Sequence, residues 1–380
     1  MSSDKSTEYD PSFSPPLPRV HLANLPTPLE EMPRLSAALA GPRIWIKRDD
    51  LTGLAFGGSK VRALELTLAD ALRQGADTIV SMGEVQSNHA RLTAAGARKL
   101  GLDVVLVIAA PAEPSHLQGN LLLSRLLGAE VRFASWSEHS RTVERTVQEL
   151  KDRGRVPYVL PFGGSLPIGT IAYINAALEL HTQAKDLGLA IDHVLHATAS
   201  GGLQIGLTIG NRMLAARTKV TGVATARNTR GTLLSKCLPL VSEIRRVWNA
   251  AATLDPQDLS LVDFHAAQGG DADGEETRIR DAISLVAQTE GILLDPEYTG
   301  KAMAVLIDMV RHGQFARTDT VVFLHTGGTP ALFVPPPARW STSPSGFLQV
   351  LRRQGKKYRA LKWCRDMLRH RGRSRGGREH

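Results

Sequence analysis

The chain has 380 residues, 42% hydrophobic and 22% charged, a composition that fits a soluble globular protein long enough for two domains. Its two cysteines, Cys237 and Cys364, lie far apart in unlike contexts, which indicates neither a disulfide framework nor a cysteine metal site and suits a reducing, cytoplasmic setting. The net charge of +9 belongs to one end: residues 339–380 hold thirteen Lys and Arg against Asp366 and Glu379, a balance of +11 that leaves residues 1–338 at −2 and excludes a basic, nucleic-acid-binding body.

Residues 1–18 are polar and proline-bearing, with no basic lead into an apolar run, and read as a loose arm and not a signal peptide. No apolar stretch approaches membrane-spanning length. A short helix is predicted over 30–39 and a strand over 43–47, closed by Arg48, Asp49 and Asp50. Helical and strand periodicities then alternate. Helices are predicted over 61–74, 88–100, 116–128, 138–153, 169–185 and 202–216, and strands over 78–81, 104–108, 130–133, 157–160, 193–195 and 219–224. Such alternation predicts an α/β fold of parallel sheets covered by helices on both faces.

Residues 225–274 are less regular, with a helix over 233–251, a strand over 259–264 and a loop from Gln268 to Gly274. Helices over 275–289 and 299–312 follow, then a strand over 320–324. The prolines at 335–337 end the pattern. Beyond them Phe347, Leu348, Leu351, Tyr358, Leu361, Cys364 and Leu368 are spaced loosely as one helix face among arginines, and residues 371–380 read as disordered.

Four turns carry candidate chemistry. In Gly57-Gly58-Ser59-Lys60 the glycines permit close backbone approach, Ser59 is placed to cap the following helix, and Lys60 stands at a helix N-terminus. There the dipole and burial would both lower its pKa and make it a nucleophile toward a carbonyl. On that stretch alone a helix start with a solvated lysine is the preferred reading. Ser87 and Asn88 follow an apolar strand and open a helix, where they could cap the helix or contact a ligand anion. Thr198, Ala199, Ser200, Gly201 and Gly202 form a post-strand turn of the kind that makes an anion nest at a helix N-terminus. His325, Thr326, Gly327, Gly328 and Thr329 form another, with two hydroxyls. One lysine with three polar post-strand turns is the set of parts that pyridoxal phosphate needs.

The stretches Lys47-Arg-Asp-Asp-Leu-Thr52, Ala55-Phe-Gly-Gly-Ser-Lys60, Gln86-Ser-Asn-His89, Gln118-Gly-Asn-Leu-Leu-Leu123, Gly163-Gly-Ser165, Leu293-Leu-Asp-Pro296, Tyr298-Thr-Gly-Lys301 and His325-Thr-Gly-Gly328 resemble the D-cysteine desulfhydrase and 1-aminocyclopropane-1-carboxylate deaminase family. These are pyridoxal-phosphate enzymes of the tryptophan-synthase-β-like fold (fold type II), and the similarity spans roughly residues 19–334. The resemblance implies two parallel-sheet αβα domains, a large cofactor-binding one from 19–60 and 175–335 and a small one from 61–174, followed by a basic tail from 336. It implies that Lys60 forms the Schiff base with the cofactor and takes the substrate α-proton. Asn88 would sit near the ring's phenolic oxygen, Ser87 near the substrate carboxylate or the lysine, Tyr298 would face the substrate, and the turn at 198–203 would hold the phosphate.

Thr299 stands where the cyclopropane deaminases place a glutamate for the pyridine nitrogen, with Thr326 as a neutral partner instead. That resembles the desulfhydrase branch. Other departures are Ser59 for an asparagine, Ala63 for a phosphate-binding lysine, Ala199 and Leu203 in the phosphate turn, Leu92 for a glutamine, and the loop at 268–271 without its tyrosine. A weakened phosphate cup is expected from these. The expected activity is β-elimination and deamination of a small amino acid, best D-cysteine to pyruvate, sulfide and ammonia. Cyclopropane deamination and a non-catalytic cofactor-binding paralogue are the alternatives. Relatives of this fold commonly dimerise, and the tail is expected to contact an anionic membrane, nucleic acid or an acidic partner.

Overall fold

A computed structural model describes residues 17–226, 229–248, 254–265 and 272–334. Most of the expected arm, residues 268–271 of the expected loop and the basic tail lie outside the described residues, while residues 272–274 of that loop are corrected to the first turn of a helix, Ala272–Glu290. The larger sheet has six strands, β1 (Leu29–Glu31), β2 (Arg43–Lys47), β7 (His193–Thr198), β8 (Lys219–Ala224), β9 (Ser260–Asp263) and β10 (Thr320–Leu324), in the order β1-β2-β10-β7-β8-β9. Only β1 runs antiparallel to its neighbour. The smaller sheet is wholly parallel, in the order β5-β4-β3-β6, from β3 (Thr78–Glu84), β4 (Asp103–Ala109), β5 (Glu130–Ala134) and β6 (Pro157–Leu160). The chain is thus the α/β protein that the alternating periodicity implies. The predicted helix over 30–39 is corrected: residues 29–31 pair with β2, and the helix α1 starts at Pro33, whose fixed φ suits a first helical turn.

Helices α1 (Pro33–Leu39), α9 (Ala272–Glu290) and α10 (Thr299–Arg311) cover one face of the larger sheet, where Leu35, Ile283, Val286, Met303 and Leu306 meet Ile44, Leu195 and Phe323. The other face carries α2 (Lys60–Arg73), α6 (Pro167–Asp186) and α7 (Gly202–Met213), with α8 (Thr229–Trp248) outside them. Helices α3 (Asn88–Lys99), α4 (Gly119–Leu126) and α5 (His139–Asp152) belong to the smaller sheet. Among the described residues no helix is long and apolar enough to cross a membrane.

Helix α2 is buried almost all round. Val61, Leu64, Leu68 and Ala71 enter the core of the smaller sheet, while Ala63 and Leu66 enter the apolar layers beneath the larger one. A helix apolar on opposite faces has to lie between two packed bodies.

The charge of its buried Arg62 is neutralised internally. Arg62, 3% exposed, grips Asp49 through Nε (2.9 Å) and Nη2 (2.7 Å) and Glu179 through Nη1 and Nη2 (both 2.8 Å). Lys47 Nζ donates to Glu179 (2.5 Å), the Thr27 carbonyl (2.6 Å) and Gln183 (2.5 Å), and Thr27 Oγ1 donates to Asp49 (2.8 Å). Two cations and two carboxylates therefore cancel where β2, α2 and α6 meet.

Burial alone would raise the Glu179 pKa, but the hydrogen bonds and charges of Arg62, then of Lys47, hold it down to about 2. A carboxylate so depressed stabilises the fold fully above its ordinary value of 4.5 and loses that contribution as pH falls toward 2. Glu179→Gln leaves a buried positive charge uncompensated, so urea unfolding at neutral pH should show a loss of about 3–5 kcal/mol. The variant should also have a flatter stability profile than the parent between pH 4.5 and 2.

Candidate active site

Lys60 leaves the turn at 57–59 at the start of α2. That turn is fused to the one after β10: Ser59 N donates to Thr326 O at 3.0 Å, and a Cβ on Gly327 would lie 2.6 Å from Gly58 Cα, so only glycines allow the two backbones this contact. Ser59 does not cap α2, contrary to expectation. Its backbone is already helical (φ −56°, ψ −23°), whereas a capping side chain works from extended backbone.

The Lys60 Nζ spans to two other loops, donating to Gly163 O (2.9 Å) and Ser200 Oγ (3.1 Å). Burial lowers its pKa from 10.5 to about 8, and no neighbouring carboxylate opposes that shift. Gly163 and Gly164 follow β6 with φ of +69°. A Cβ on Gly163 would fall 2.4 Å from Ser200 Cβ, and one on Gly164 would fall 2.5 Å from the His89 ring. The turn therefore lies flush between the 198–202 loop and α3, with its carbonyl at the amine.

The 198–202 turn joins β7 to α7, and Gly201 takes a left-handed φ of +92°. The first amides of α7 have no partner within the helix. Gly202 N donates weakly to Ser165 Oγ (3.3 Å), which in turn donates to Ser200 O (3.1 Å). Thr198 Oγ1 is buried with no hydrogen-bond partner among the described residues.

Ala63 and Leu203, where the resemblance places a cation and a hydroxyl, are 4% and 5% exposed and share one apolar cluster with Trp45, Tyr173 and Leu324. An apolar wall stands there, which leaves the amides, Thr198 and Ser200 as the polar groups of this turn.

Ser87 does cap α3, accepting from Ala90 N at 3.1 Å, yet its own proton remains free to donate. The capping and ligand-binding readings thus coexist. Asn88 begins the helix. Its Oδ1 accepts from Asn120 Nδ2 at 3.0 Å. Tyr298 sits at the N-cap of α10, held by the buried Asp295, which accepts from Glu297 N (2.9 Å), Tyr298 N (2.8 Å) and Thr299 N (3.0 Å). The Thr299 hydroxyl also donates to Asp295, so it is committed within the cap, and Thr326 is left as the neutral hydroxyl of its turn. Burial, then the charges of Glu84 and Glu297, push the Tyr298 phenol well above its ordinary value, so it stays protonated at working pH.

Lys60, Ser200 and the 198–202 turn are thus in direct contact through Gly163. Thr326 joins them through Ser59, Ser87 and Asn88 lie beside His89 at Gly164, and Tyr298 reaches the set through Asp295, which abuts Gly328. Apart from Tyr298, which lies on the connection from α9 to α10, the singled-out residues lie on loops at the carboxyl ends of parallel strands, or on the helices that those loops open. Sequence reasoning missed His89, a buried imidazole that bonds Ser81 Oγ (3.2 Å) through Nε2 and has no partner at Nδ1 among the described residues. Burial, with the Lys60 charge, lowers it to about 3. It also gave no role to Gly163 or Ser165, although both stand in a quoted motif.

A family model described as "Pyridoxal-phosphate dependent enzyme" matches residues 20–327. A D-cysteine desulfhydrase of Klebsiella pneumoniae is 41% identical over 322 residues, 83% of this chain and 95% of that one. A Pyrococcus abyssi protein whose name provisionally assigns it as a 1-aminocyclopropane-1-carboxylate deaminase is 39% identical over 320 residues, 83% of this chain and 93% of that one. A solved structure described as an "ACC deaminase homologue" superposes with a TM-score of 0.74 at 35% identity, covering 85% of this chain and 95% of that one.

The residues present fit a phosphorylated aldehyde: an amine without a counter-ion, an orphaned buried hydroxyl on Thr198, and helix-start amides beside Ser200. Capture of added pyridoxal phosphate by cofactor-free protein requires neutral Lys60. Its rate, followed by absorbance, should therefore rise with pH through a midpoint near 8, not near 10.5.

Proposed function

The chain belongs to the pyridoxal-phosphate dependent enzymes, and we propose that it is a lyase that expels the β-substituent of a small amino acid, D-cysteine foremost, to give pyruvate, sulfide and ammonia. The observation that carries this reading is Lys60, whose amine is held by Gly163 O and Ser200 Oγ beside the 198–202 turn with its pKa lowered to about 8. When bound, the cofactor supplies a conjugated ring that delocalises electrons released at the substrate Cα.

The chain's own residues do the rest. The α7 amides, Thr198 and Ser200 bind the phosphate. Asn88 donates to the ring's phenolic oxygen, and Thr326 offers the ring nitrogen a neutral hydroxyl. Thr299 cannot take that place, because its proton is committed to Asp295. Ser87 holds the substrate carboxylate with its free proton, and Tyr298 closes over the substrate as a neutral phenol.

Lys60 Nζ removes the proton from Cα. The Cβ–S bond breaks with its electron pair leaving on sulfur, and water replaces nitrogen to release the 2-oxo acid and ammonia. A hydroxyl at the ring nitrogen stabilises a protonated pyridine less than a carboxylate would. That favours loss of a good leaving group over long-lived carbanion chemistry.

We further propose that the chain acts as a cytoplasmic homodimer and that residues 339–380, at +11, bind an anionic surface and take no part in the chemistry. Lys60→Ala should abolish both the visible absorbance of bound cofactor and 2-oxo acid release from D-cysteine. Turnover of 1-aminocyclopropane-1-carboxylate but not of D-cysteine by the parent would replace the desulfhydrase reading with the deaminase one. Truncation after Pro337 should leave cofactor content and turnover unchanged and remove salt-sensitive binding to anionic vesicles.

A further inference from the structure

Asn88 is the end of a hydrogen-bond chain whose direction is set from inside the protein. Asn120, 1% exposed in the first turn of α4, donates through Nδ2 to Asn88 Oδ1 (3.0 Å) and to Gln86 O (2.9 Å), and accepts at Oδ1 from Arg91 Nη1 (3.0 Å). Arg91 is fully buried, and its Nη2 donates to Gly57 O at 2.8 Å, in the turn that delivers Lys60. A guanidinium only donates, so the oxygen of Asn120 has to face Arg91. A backbone carbonyl only accepts, so the nitrogen of Asn120 has to face Gln86. These two anchors fix the Asn120 amide. Asn88 can then meet it only with oxygen, and its two N–H donors turn away, without a protein partner among the described residues.

The source of this polarity has no direct ionic partner, although the Asp295 charge acts on it from a distance. Arg91 makes no salt bridge among the described residues, and its Nε is buried without a hydrogen-bond partner. Burial lowers its pKa to about 10, which leaves it charged at neutral pH.

We propose that Arg91, acting through Asn120, is a positioning residue that locks Asn88 with its N–H donors toward the phenolic oxygen of bound cofactor and so favours the deprotonated form of that oxygen. The proposal rests on the reading that Asn88 lies beside the ring. Oriented dipoles in a buried chain act on a charge without reorganising, which makes a fixed amide a stronger partner than a rotating one. The same guanidinium joins the Lys60 turn to α3, so the amine and the donor for the phenolic oxygen are held in one frame.

The test uses the holoenzyme and three variants: Asn120→Asp, Asn120→Ala and Asn88→Ala. The readouts are the pH titration of the visible absorbance of bound cofactor, the cofactor dissociation constant and the melting temperature. Asn120→Asp keeps the side-chain volume and can pair with Arg91, but both its oxygens accept. Asn88 must then donate inward and turn its own oxygen on the ring.

The expected result is a spectral titration moved up by about one pH unit or more and a cofactor dissociation constant raised about tenfold, the loss of one hydrogen bond to a charged group. The melting temperature should hold. Asn120→Ala, which frees Asn88 to rotate, should move both readouts in the same direction by less, and it decides the matter if Asn120→Asp does not fold. If Asn88→Ala moves both readouts and neither Asn120 variant does, the relay is wrong while the placement of Asn88 stands. If Asn88→Ala itself changes neither, that placement fails and the relay falls with it.

Discussion

Four charges at the root of α2 hold this molecule in register. Arg62 and Lys47 are buried against Asp49 and Glu179, with Thr27 and Gln183 filling the remaining hydrogen-bond positions. Removing ions from water is costly, and the bidentate geometry on both carboxylates is what offsets that cost. The cluster also carries information that apolar packing lacks. A leucine tolerates sliding by a fraction of a turn, but a guanidinium forked between two carboxylates does not. Because Arg62 lies two residues beyond Lys60, the same fork sets where the amine emerges.

From that fixed root, the site is assembled by backbone contact more than by side-chain reach. The turn before Lys60 touches the turn after β10, and the turn after β6 touches both the 198–202 loop and α3. Loops that touch through glycines hold few rotatable bonds between one functional group and the next. The lysine, the helix-start amides of α7 and the Asn88 amide thus have small relative freedom, which is the condition under which positioning contributes to rate. The lowered pKa of Lys60 comes from the same closeness, since water is displaced and no carboxylate replaces it.

Much of this was legible in the residues, and the limits have physical causes. Alternation of period 2 and period 3.6 located the strands Arg43–Lys47, Pro157–Leu160, Lys219–Ala224 and Thr320–Leu324 to the residue, because each is a short apolar run bounded by turn-forming residues. Residues 29–31 went astray because an edge strand with two glutamates has no apolar face to betray it. Ser59 misled for a related reason: capping depends on φ and ψ, which the neighbouring turn dictates. The motif at 47–52 read as charge closing a strand. That Arg62 pairs with Asp49 and with Glu179 is a fact of tertiary approach, across 13 residues and 117 residues respectively. Asn120 stood in a quoted motif, but its orienting effect on Asn88 exists only once α3 and α4 are packed.

Helix α2 has one more consequence. Ten of its fourteen residues are buried, and six apolar ones among them are divided between the core of the smaller sheet and the layers under the larger one. Neither half of the molecule can therefore be excised intact. A fragment cut ahead of Lys60 lacks the helix that closes its sheet, and a fragment that keeps α2 presents the opposite apolar face to water. The two halves form a single cooperative unit, and they must be made and folded as one.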